Sequence, residues 1–222
     1  MRMHLFDSLD STQDEAARML KSGEQDFVVL AVEQTAGRGR HGRTWESPKS
    51  KGLYFSFPWQ NAVDAPWPAG IALAAGAFAA EYFDTDIAWP NDLLIAGRKV
   101  GGLLCEIIPS PLGRVPVIGI GINLTWSPPG ATSMSQEGRD LDPFVTVKDL
   151  ATLVSVSDPP GCFADIEARW RKRDATRGKS FRLSDGRFGI ANEVDRDGAL
   201  IVDVDNERVT VTSAEAIYGS GS

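Results

Sequence analysis

The sequence predicts an α+β protein, in which a mixed β-sheet with packed helices is followed by a small unit built only of strands. Short apolar runs separated by turn residues indicate hairpins in the middle of the chain. The alanine-rich segment 69–83 carries bulky residues at intervals, which indicates a buried helix. After Gly178 only short strands and tight turns follow. Because a domain has roughly 150 residues, we divide the 222 residues into a main domain, 1–177, and a small domain, 178–222.

The first part of the chain predicts one helix, two strands and a long loop. Apolar residues recur at helical spacing between Ser11 and Gly23, and Thr12 followed by Glu15 predicts a capping box at the start of that helix. The continuous apolar run 27–32 predicts a strand buried on both faces. The segment 35–51 has glycines, arginines and a proline without apolar periodicity, so we interpret it as a loop before a strand at 53–57.

The remaining elements follow from shorter patterns. Apolar runs at 87–89, 93–95, 100–108 and 115–124 are separated by turn residues, which predicts hairpins and therefore a mixed sheet. Weaker helical periodicity occurs at 147–156 and 163–171. Short runs at 181–183, 188–191, 199–202 and 209–211 predict four or five strands of a small β-barrel.

Composition excludes several classes of protein. A content of 42% hydrophobic and 24% charged residues excludes a chain that is mainly disordered. The net charge of −7 has the wrong sign for a protein that coats DNA or an anionic membrane with its whole surface. The longest apolar stretch is about twelve residues where a membrane span needs about twenty. Two cysteines outside any CxxC pair favour a reducing cytosol, so we expect a cytoplasmic protein without a membrane segment.

The loop after the first buried strand carries the most informative motif. Gly37, Gly39 and Gly42 match the GxGxxG of a dinucleotide fold, but no helical period follows them, so we reject that reading. Residues 37–51 include five basic side chains and one acidic side chain, although the chain as a whole is acidic. Glycines allow close approach of the backbone to a ligand, and arginines bind phosphate oxygens. The loop therefore suits a nucleotide triphosphate; a solvated basic loop or a nonspecific RNA contact remains the simpler alternative.

Two further clusters have plausible ligand chemistry. Asn91 and Asp92 lie where a strand breaks, and their oxygens are suitable Mg²⁺ ligands, while Lys99 begins the next strand. The alternative is an Asx turn with a solvent-exposed lysine. Gly119 and Gly121 alternate with isoleucines in a strand that ends at Asn123, which predicts close approach by a ligand or by another element.

These motifs occur in a definite order along the chain. They are Asp10-Ser11-Thr12, Gln34 with Ala36 and the segment 37–43, Trp45 with Ser47-Pro48 and Gly52-Leu53-Tyr54, the segment 89–94, Lys99 with Gly102-Leu103-Leu104 and Glu106, and the segment 119–123. Together they resemble the biotin protein ligase family, in its monofunctional type without an N-terminal helix-turn-helix. The resemblance covers essentially the whole chain.

The resemblance implies both a fold and a reaction. The fold would be a catalytic domain of the class II aminoacyl-tRNA synthetase and biotin synthetase type, with an SH3-like C-terminal barrel. Biotin and ATP would give biotinyl-5′-AMP and pyrophosphate, and a lysine of a biotin carboxyl carrier domain would then take the biotinyl group. The partner would be that carrier domain and neither DNA nor a membrane. Whether the protein forms a homodimer is left open.

The resemblance also implies site residues. The catalytic residues would be Lys99 and Arg40, cations beside the reacting carboxylate and phosphate. Biotin would contact Ser11, Thr12, Gln13, Gln34, Arg38, Gly39, Arg40, Lys99, Gly102 and Leu104. ATP would contact Arg40, Arg43, Trp45, Asn91, Lys99 and Asn123, and Mg²⁺ would bind Asp92 and Asn123.

Two alternatives depart from this reading. A lipoate or octanoate ligase would use the same adenylate chemistry, but the RRxxGGG-like and HD elements of that branch do not occur in the sequence. A non-catalytic biotin- or nucleotide-binding homologue is suggested by Ala88, which stands where the family usually has a lysine before Trp89. The substitution removes one cation from the neighbourhood of the predicted site.

Overall fold

The computed structural model describes residues 1–212, apart from the side chains at positions 68 and 69. Within this range the chain forms a main sheet with helices on both faces and a second, smaller sheet. The elements are β1 Arg2–Phe6, α1 Thr12–Lys21, β2 Phe27–Ala31, β3 Gly52–Pro58, α2 Pro68–Tyr82, β4 Asp86–Ala88, β5 Asp92–Ile95, β6 Arg98–Ser110, β7 Gly113–Asn123, α3 Pro143–Val156, α4 Glu167–Arg173, β8 Ser180–Arg182, β9 Phe188–Val194, β10 Leu200–Val204 and β11 Glu207–Val211.

The main sheet has seven strands in the order β1-β2-β3-β7-β6-β5-β4. Strands β1 and β2 are parallel, and all other neighbours are antiparallel. The predicted mixed sheet is therefore confirmed. Strand β1 was not predicted from the sequence, because it mixes polar and apolar residues. It is an edge strand with one neighbour, and none of its residues is fully buried.

Both faces of the sheet are covered, as the continuous apolar run of β2 predicts. Phe27 and Val29 pack with α1 on one face, whereas Val28 and Leu30 belong to the larger core on the other. Helices α2 and α3 contribute to that larger core. Among the helices of residues 1–212, none is both long enough and apolar enough to cross a membrane.

The predicted capping box at the start of α1 is wrong. Ser11 is the N-cap residue, its side chain makes no capping hydrogen bond, and Thr12 is already helical. The Thr12 hydroxyl instead contacts Gln34 Oε1 at 3.1 Å and Ser56 Oγ at 2.9 Å. The Thr12 hydroxyl therefore connects the start of α1 to β3 and to the segment after β2. It bonds to these distant side chains instead of capping its own helix.

The small sheet is antiparallel, in the order β11-β10-β9-β8, and docks on the main domain. Within the described part of the chain it is open, so the predicted closed barrel is not seen there. Trp67 Nε1 donates to the carbonyl of Asp197 at 3.1 Å, and Trp89 Nε1 donates to that of Gly198 at 3.0 Å. The division at residue 177 stays a prediction, and residues 213–222 of the predicted small domain lie outside the described residues.

Candidate functional site

A cavity on the α1 face of the main sheet collects the predicted site residues. Strand β7 supplies its floor, because alternate residues of a strand point to opposite faces. Val115 and Val117 pack under α1, while the next two positions on that face are Gly119 and Gly121, which line the cavity. The absence of two side chains opens this space. The intervening isoleucines pack in the core on the opposite face.

Each of these two glycines makes room for a particular side chain. A Cβ at Gly119 would lie 2.5 Å from Gln13 Oε1, and a Cβ at Gly121 would lie 2.5 Å from the Trp45 indole, at Cε2 and Nε1. Both distances are far below van der Waals contact. The predicted close approach to the glycines is confirmed, and the elements that approach are Gln13 at one end of the cavity and Trp45 at the other.

Gln13 presents an unused hydrogen-bond acceptor to the cavity. It is 3% exposed, and its Nε2 donates to the carbonyl of Val117 at 3.1 Å. Its Oε1 is buried and has no partner among the described residues. Since an unsatisfied buried polar group costs roughly 1–3 kcal/mol, this end of the cavity is suited to a ligand that donates an N–H group.

Gln34 lines the same cavity, and both polar atoms of its amide hydrogen-bond to protein groups. Its Oε1 accepts hydrogen bonds from Thr12 N at 2.8 Å and from Thr12 Oγ1 at 3.1 Å, and its Nε2 donates to Ser47 Oγ at 2.7 Å. These contacts tie the start of α1 to the far end of the glycine-rich loop. The structure therefore places Gln34 as a support for the neighbouring cavity residues.

The glycine-rich loop is folded as a narrow hairpin over the cavity. Trp45 N donates to the carbonyl of Gly37 at 2.9 Å, and Gly39 N donates to the carbonyl of Arg43 at 2.7 Å. A single 3-10 turn, Arg40–Gly42, forms the tip. No helix follows the glycines, in agreement with the rejection of a dinucleotide-binding motif.

Arg38 joins two carboxylates on different elements. Its guanidinium contacts Asp14 of α1 and Glu106 of β6, each at 2.7 Å through Nη2. The hydrogen bond to Glu106, followed by that to Asp14, raises the pKa of Arg38 above its already high value. The side chain is thereby committed to an ion-pair network at the rim of the cavity.

Lys99 lies at the Trp45 end of the cavity. The pairing of β5 with β6 shifts register after Leu93, which leaves Val100 without an opposite residue. Such a bulge redirects the neighbouring side chains. Lys99 Nζ lies 2.7 Å from Asp92 Oδ1 and 5.4 Å from the centre of the Trp45 ring. The Lys99 side chain, which is 40% exposed, thus places its ammonium group between a carboxylate and an indole.

Arg40 and Asn91 meet across the cavity. Arg40 Nη1 donates to Asn91 Oδ1 at 3.3 Å, and Asn91 Nδ2 donates to the carbonyl of Leu103 at 2.5 Å. Arg40 Nη2 also lies 3.4 Å from His41 Nε2. Arg40, Arg43 and Lys99 together make the surroundings strongly cationic, with Asp92 as the acidic side chain that lines the same cavity.

All of the sequence-predicted site residues except Asn123 line this cavity. Asn123 borders an adjoining cavity that also contacts Trp45 and Lys99, and its Nδ2 donates to the carbonyl of Thr132 at 2.9 Å. Several lining residues were not predicted from the sequence: His41, Thr44, Ser56, Leu103 and Ile120. Ser56 could have been recognised, because it is a serine within the apolar run of β3, and it is fully buried.

The donor set limits how a metal could be held. Among residues 1–212 no three His, Cys, Asp or Glu side chains cluster at a distance that would hold a metal ion. Mg²⁺ commonly binds through one or two protein carboxylates and completes its shell with phosphate oxygens and water. The carboxylate of Asp92 fits that mode, and the side-chain amide oxygen of Asn123 is a second candidate ligand. A cage made only of protein ligands does not fit.

Comparison with known proteins places the chain in a family. Residues 5–123 match the biotin/lipoate A/B protein ligase family. The chain belongs to this family.

Individual relatives agree with that placement over nearly the full length. The chain is 33% identical to a biotin–acetyl-CoA-carboxylase ligase of Paracoccus denitrificans, over 95% of this chain and 98% of the relative. It is 31% identical to the enzyme of the same name from Mycobacterium tuberculosis, over 92% of this chain and 84% of the relative. The fold matches a biotin protein ligase from Aquifex aeolicus in complex with biotin and ATP, with a TM-score of 0.74 at 23% identity, covering 96% of this chain and 97% of that one.

Proposed function

We propose that this protein is an ATP-dependent biotin protein ligase, which joins biotin to a lysine of a biotin carboxyl carrier domain through biotinyl-5′-AMP. The observation that carries the proposal is a single cavity with two chemically different ends. At one end, Gln13 Oε1 is a buried hydrogen-bond acceptor without a partner among the described residues. At the other, Trp45, Lys99 and Asp92 offer a stacking surface, a cation and a candidate metal ligand.

In the first step the biotin carboxylate attacks the α-phosphorus of ATP, and pyrophosphate leaves. Two anions must approach one another, so positive charge near the reacting oxygens lowers the barrier. Lys99 and Arg40 supply that charge. Asp92 orients the Lys99 ammonium until substrate oxygens compete for it. Mg²⁺, when bound, would neutralise phosphate charge; Asp92 and Asn123 are the residues that would hold it.

In the second step the carrier lysine, as a neutral amine, attacks the acyl carbon of biotinyl-5′-AMP. An amide bond forms, AMP leaves with the electron pair of the acyl–oxygen bond, and the amine loses a proton. The protein must keep water from the mixed anhydride until the carrier arrives. The hairpin 37–45 covers the cavity and is suited to that task.

The cavity favours biotin over lipoate or octanoate. The ureido ring of biotin carries N–H donors, and a donor near Gln13 Oε1 would satisfy the buried acceptor. A dithiolane ring or an alkyl chain would leave it unpaired, at a cost of roughly 1–3 kcal/mol. The non-catalytic alternative is disfavoured by the cations that remain around the cavity despite Ala88.

The proposed acceptor is a carrier domain, and DNA binding is not part of the proposed activity. The acidic net charge of −7 supports that view. A homodimer and a cytoplasmic location stay predictions.

The deciding experiment measures pyrophosphate release with purified protein. We expect release that requires biotin and ATP together, and transfer of radiolabelled biotin to an apo carrier domain. Lipoate in place of biotin should give less than one-tenth of the signal. Absence of biotin-dependent pyrophosphate would overturn the proposal, and equal use of lipoate would move the assignment to the lipoate branch.

A further inference from the structure

The contact of Arg38 with biotin stays a prediction, and the side chain of Arg38 makes contacts of a different kind. The guanidinium makes two hydrogen bonds to Glu106, at 2.9 and 2.7 Å, and two to Asp14, at 3.2 and 2.7 Å. All of its nitrogen atoms are engaged by carboxylates. We propose that Asp14 and Glu106 are positioning residues, which hold the hairpin 37–45 closed through Arg38 and so retain the adenylate. This inference rests on the proposed function.

The placement of the two carboxylates supports a latch. Asp14 follows Gln13, a cavity residue of α1, and Glu106 lies two residues beyond Leu104, a cavity residue of β6. Arg38 lies on the hairpin between them. The three side chains therefore connect the lid to both walls of the cavity, at its rim, without touching the cavity floor.

The strength of this network comes from its geometry. The three side chains are each about one-third exposed, at 38% for Arg38, 37% for Asp14 and 31% for Glu106. A single exposed ion pair contributes little to stability. Here the planar guanidinium makes paired hydrogen bonds to both carboxylates, an arrangement that is stronger and more directional than isolated pairs. Because Arg38 lies on the hairpin and both carboxylates lie on other elements, opening the hairpin would break this network, and the network therefore favours the closed lid.

The experiment uses Asp14→Asn and Glu106→Gln, singly and together. These variants leave every arginine of the hairpin in place, so trypsin has the same cleavage sites as in wild type. Glu15→Gln is the matched control: Glu15 is the next residue on α1 and pairs with Arg18, not with Arg38. Trypsin cleavage after the hairpin arginines is measured without ligand, and melting temperatures verify the fold.

We expect the double variant to be cleaved about tenfold faster than wild type, whereas Glu15→Gln should match wild type. Single-turnover adenylate formation should stay within about twofold, while release of biotinyl-5′-AMP, trapped by hydroxylamine as the hydroxamate, should rise about tenfold. Salt should accelerate release in wild type by screening the network. The double variant should show little salt dependence.

The outcomes separate this inference from the proposed function. If wild type forms no adenylate, the proposed function fails, and the cleavage rates alone still test the latch. If wild type forms adenylate but the double variant shows unchanged cleavage and unchanged release, the latch is overturned. An equal effect in Glu15→Gln would also overturn it, because the change would then reflect general loss of charge on α1.

Discussion

The alternating glycines of β7 allow the two ends of the cavity to be perturbed separately. A methyl group at position 121 would lie 2.5 Å from Trp45, and one at position 119 would lie 2.5 Å from Gln13 Oε1. Ordinary contacts begin near 3.4 Å, so either side chain must move by roughly 1 Å. Overpacking of this kind typically costs about 1–3 kcal/mol, which corresponds to about 5- to 150-fold in an equilibrium constant.

We therefore expect opposite kinetic defects in two closely related variants. Gly121→Ala should displace Trp45 and raise the KM for ATP at least fivefold, with biotin affinity nearly unchanged. Gly119→Ala should displace Gln13, weaken biotin at least fivefold and leave the KM for ATP nearly unchanged. Steady-state pyrophosphate release gives both KM values, and isothermal titration gives the biotin Kd.

A third glycine serves as the control for these variants. A Cβ at Gly161 would lie 3.5 Å from Asp165 Oδ2, an ordinary contact far from the cavity. Gly161→Ala should leave both constants unchanged. If Gly119→Ala and Gly121→Ala instead damaged biotin and ATP binding equally, the assignment of the two ends of the cavity would be wrong, and a general distortion of β7 would explain the result.

Two further predictions concern single side chains. Lys99→Ala should lower the rate of adenylation by about 10²–10³-fold, the typical loss for one charge-stabilising group, with little change in melting temperature; wild-type turnover would remove Lys99 from the mechanism. Burial, with a smaller contribution from Glu106, raises the pKa of the Cys105 thiol to about 12, so it stays protonated at pH 8. Iodoacetamide should then alkylate only the exposed Cys162 in the folded protein and both cysteines in urea; rapid labelling of Cys105 before unfolding, seen by mass spectrometry, would contradict this.

Local patterns were sufficient for most of the fold and for part of the membership of the site. Hairpin turns and apolar runs depend on neighbouring residues, so the strands between 87 and 124 were readable from the sequence. Some cavity residues were indicated by local patterns, because polar residues such as Asn91 and Asp92 break an apolar strand without an obvious packing role. The others, Gln34 among them, were expected only from the resemblance to the biotin protein ligases.

The roles of those residues were not readable, because they depend on partners distant in sequence. Arg38 looks like a phosphate or substrate ligand until Glu106 is found beside it, 68 positions further on. Thr12 looks like part of a helix cap until Gln34 and Ser56 reach its hydroxyl. In both cases a side chain with suitable chemistry for a ligand is used to hold the elements around the cavity.

The small C-terminal sheet should influence the proposed nucleotide end of the site through its turn at Gly198. Trp89, which directly precedes the Pro90-Asn91-Asp92 segment, is 1% exposed and donates its indole hydrogen to the Gly198 carbonyl. Deleting the sheet after Arg177 would remove the Gly198 acceptor of this buried donor, together with Phe181, whose ring packs against that of Trp89. In a truncated protein, a loss of activity could therefore not be distinguished from a loss of fold.

A pair of glycine variants gives a cleaner test of that coupling. Gly198 and Gly186 both have positive φ, +84° and +91°, so alanine strains the backbone at both positions, by about 1 kcal/mol or more. Only at Gly198 would the new Cβ also meet the main domain, 2.8 Å from Leu73 and from Trp67. We expect Gly198→Ala to raise the KM for ATP severalfold beyond Gly186→Ala, because its Cβ pushes the turn away from Trp67 and Trp89. If both variants fold and have the same KM for ATP, the contact of the small sheet with Trp67 and Trp89 does not affect the reaction.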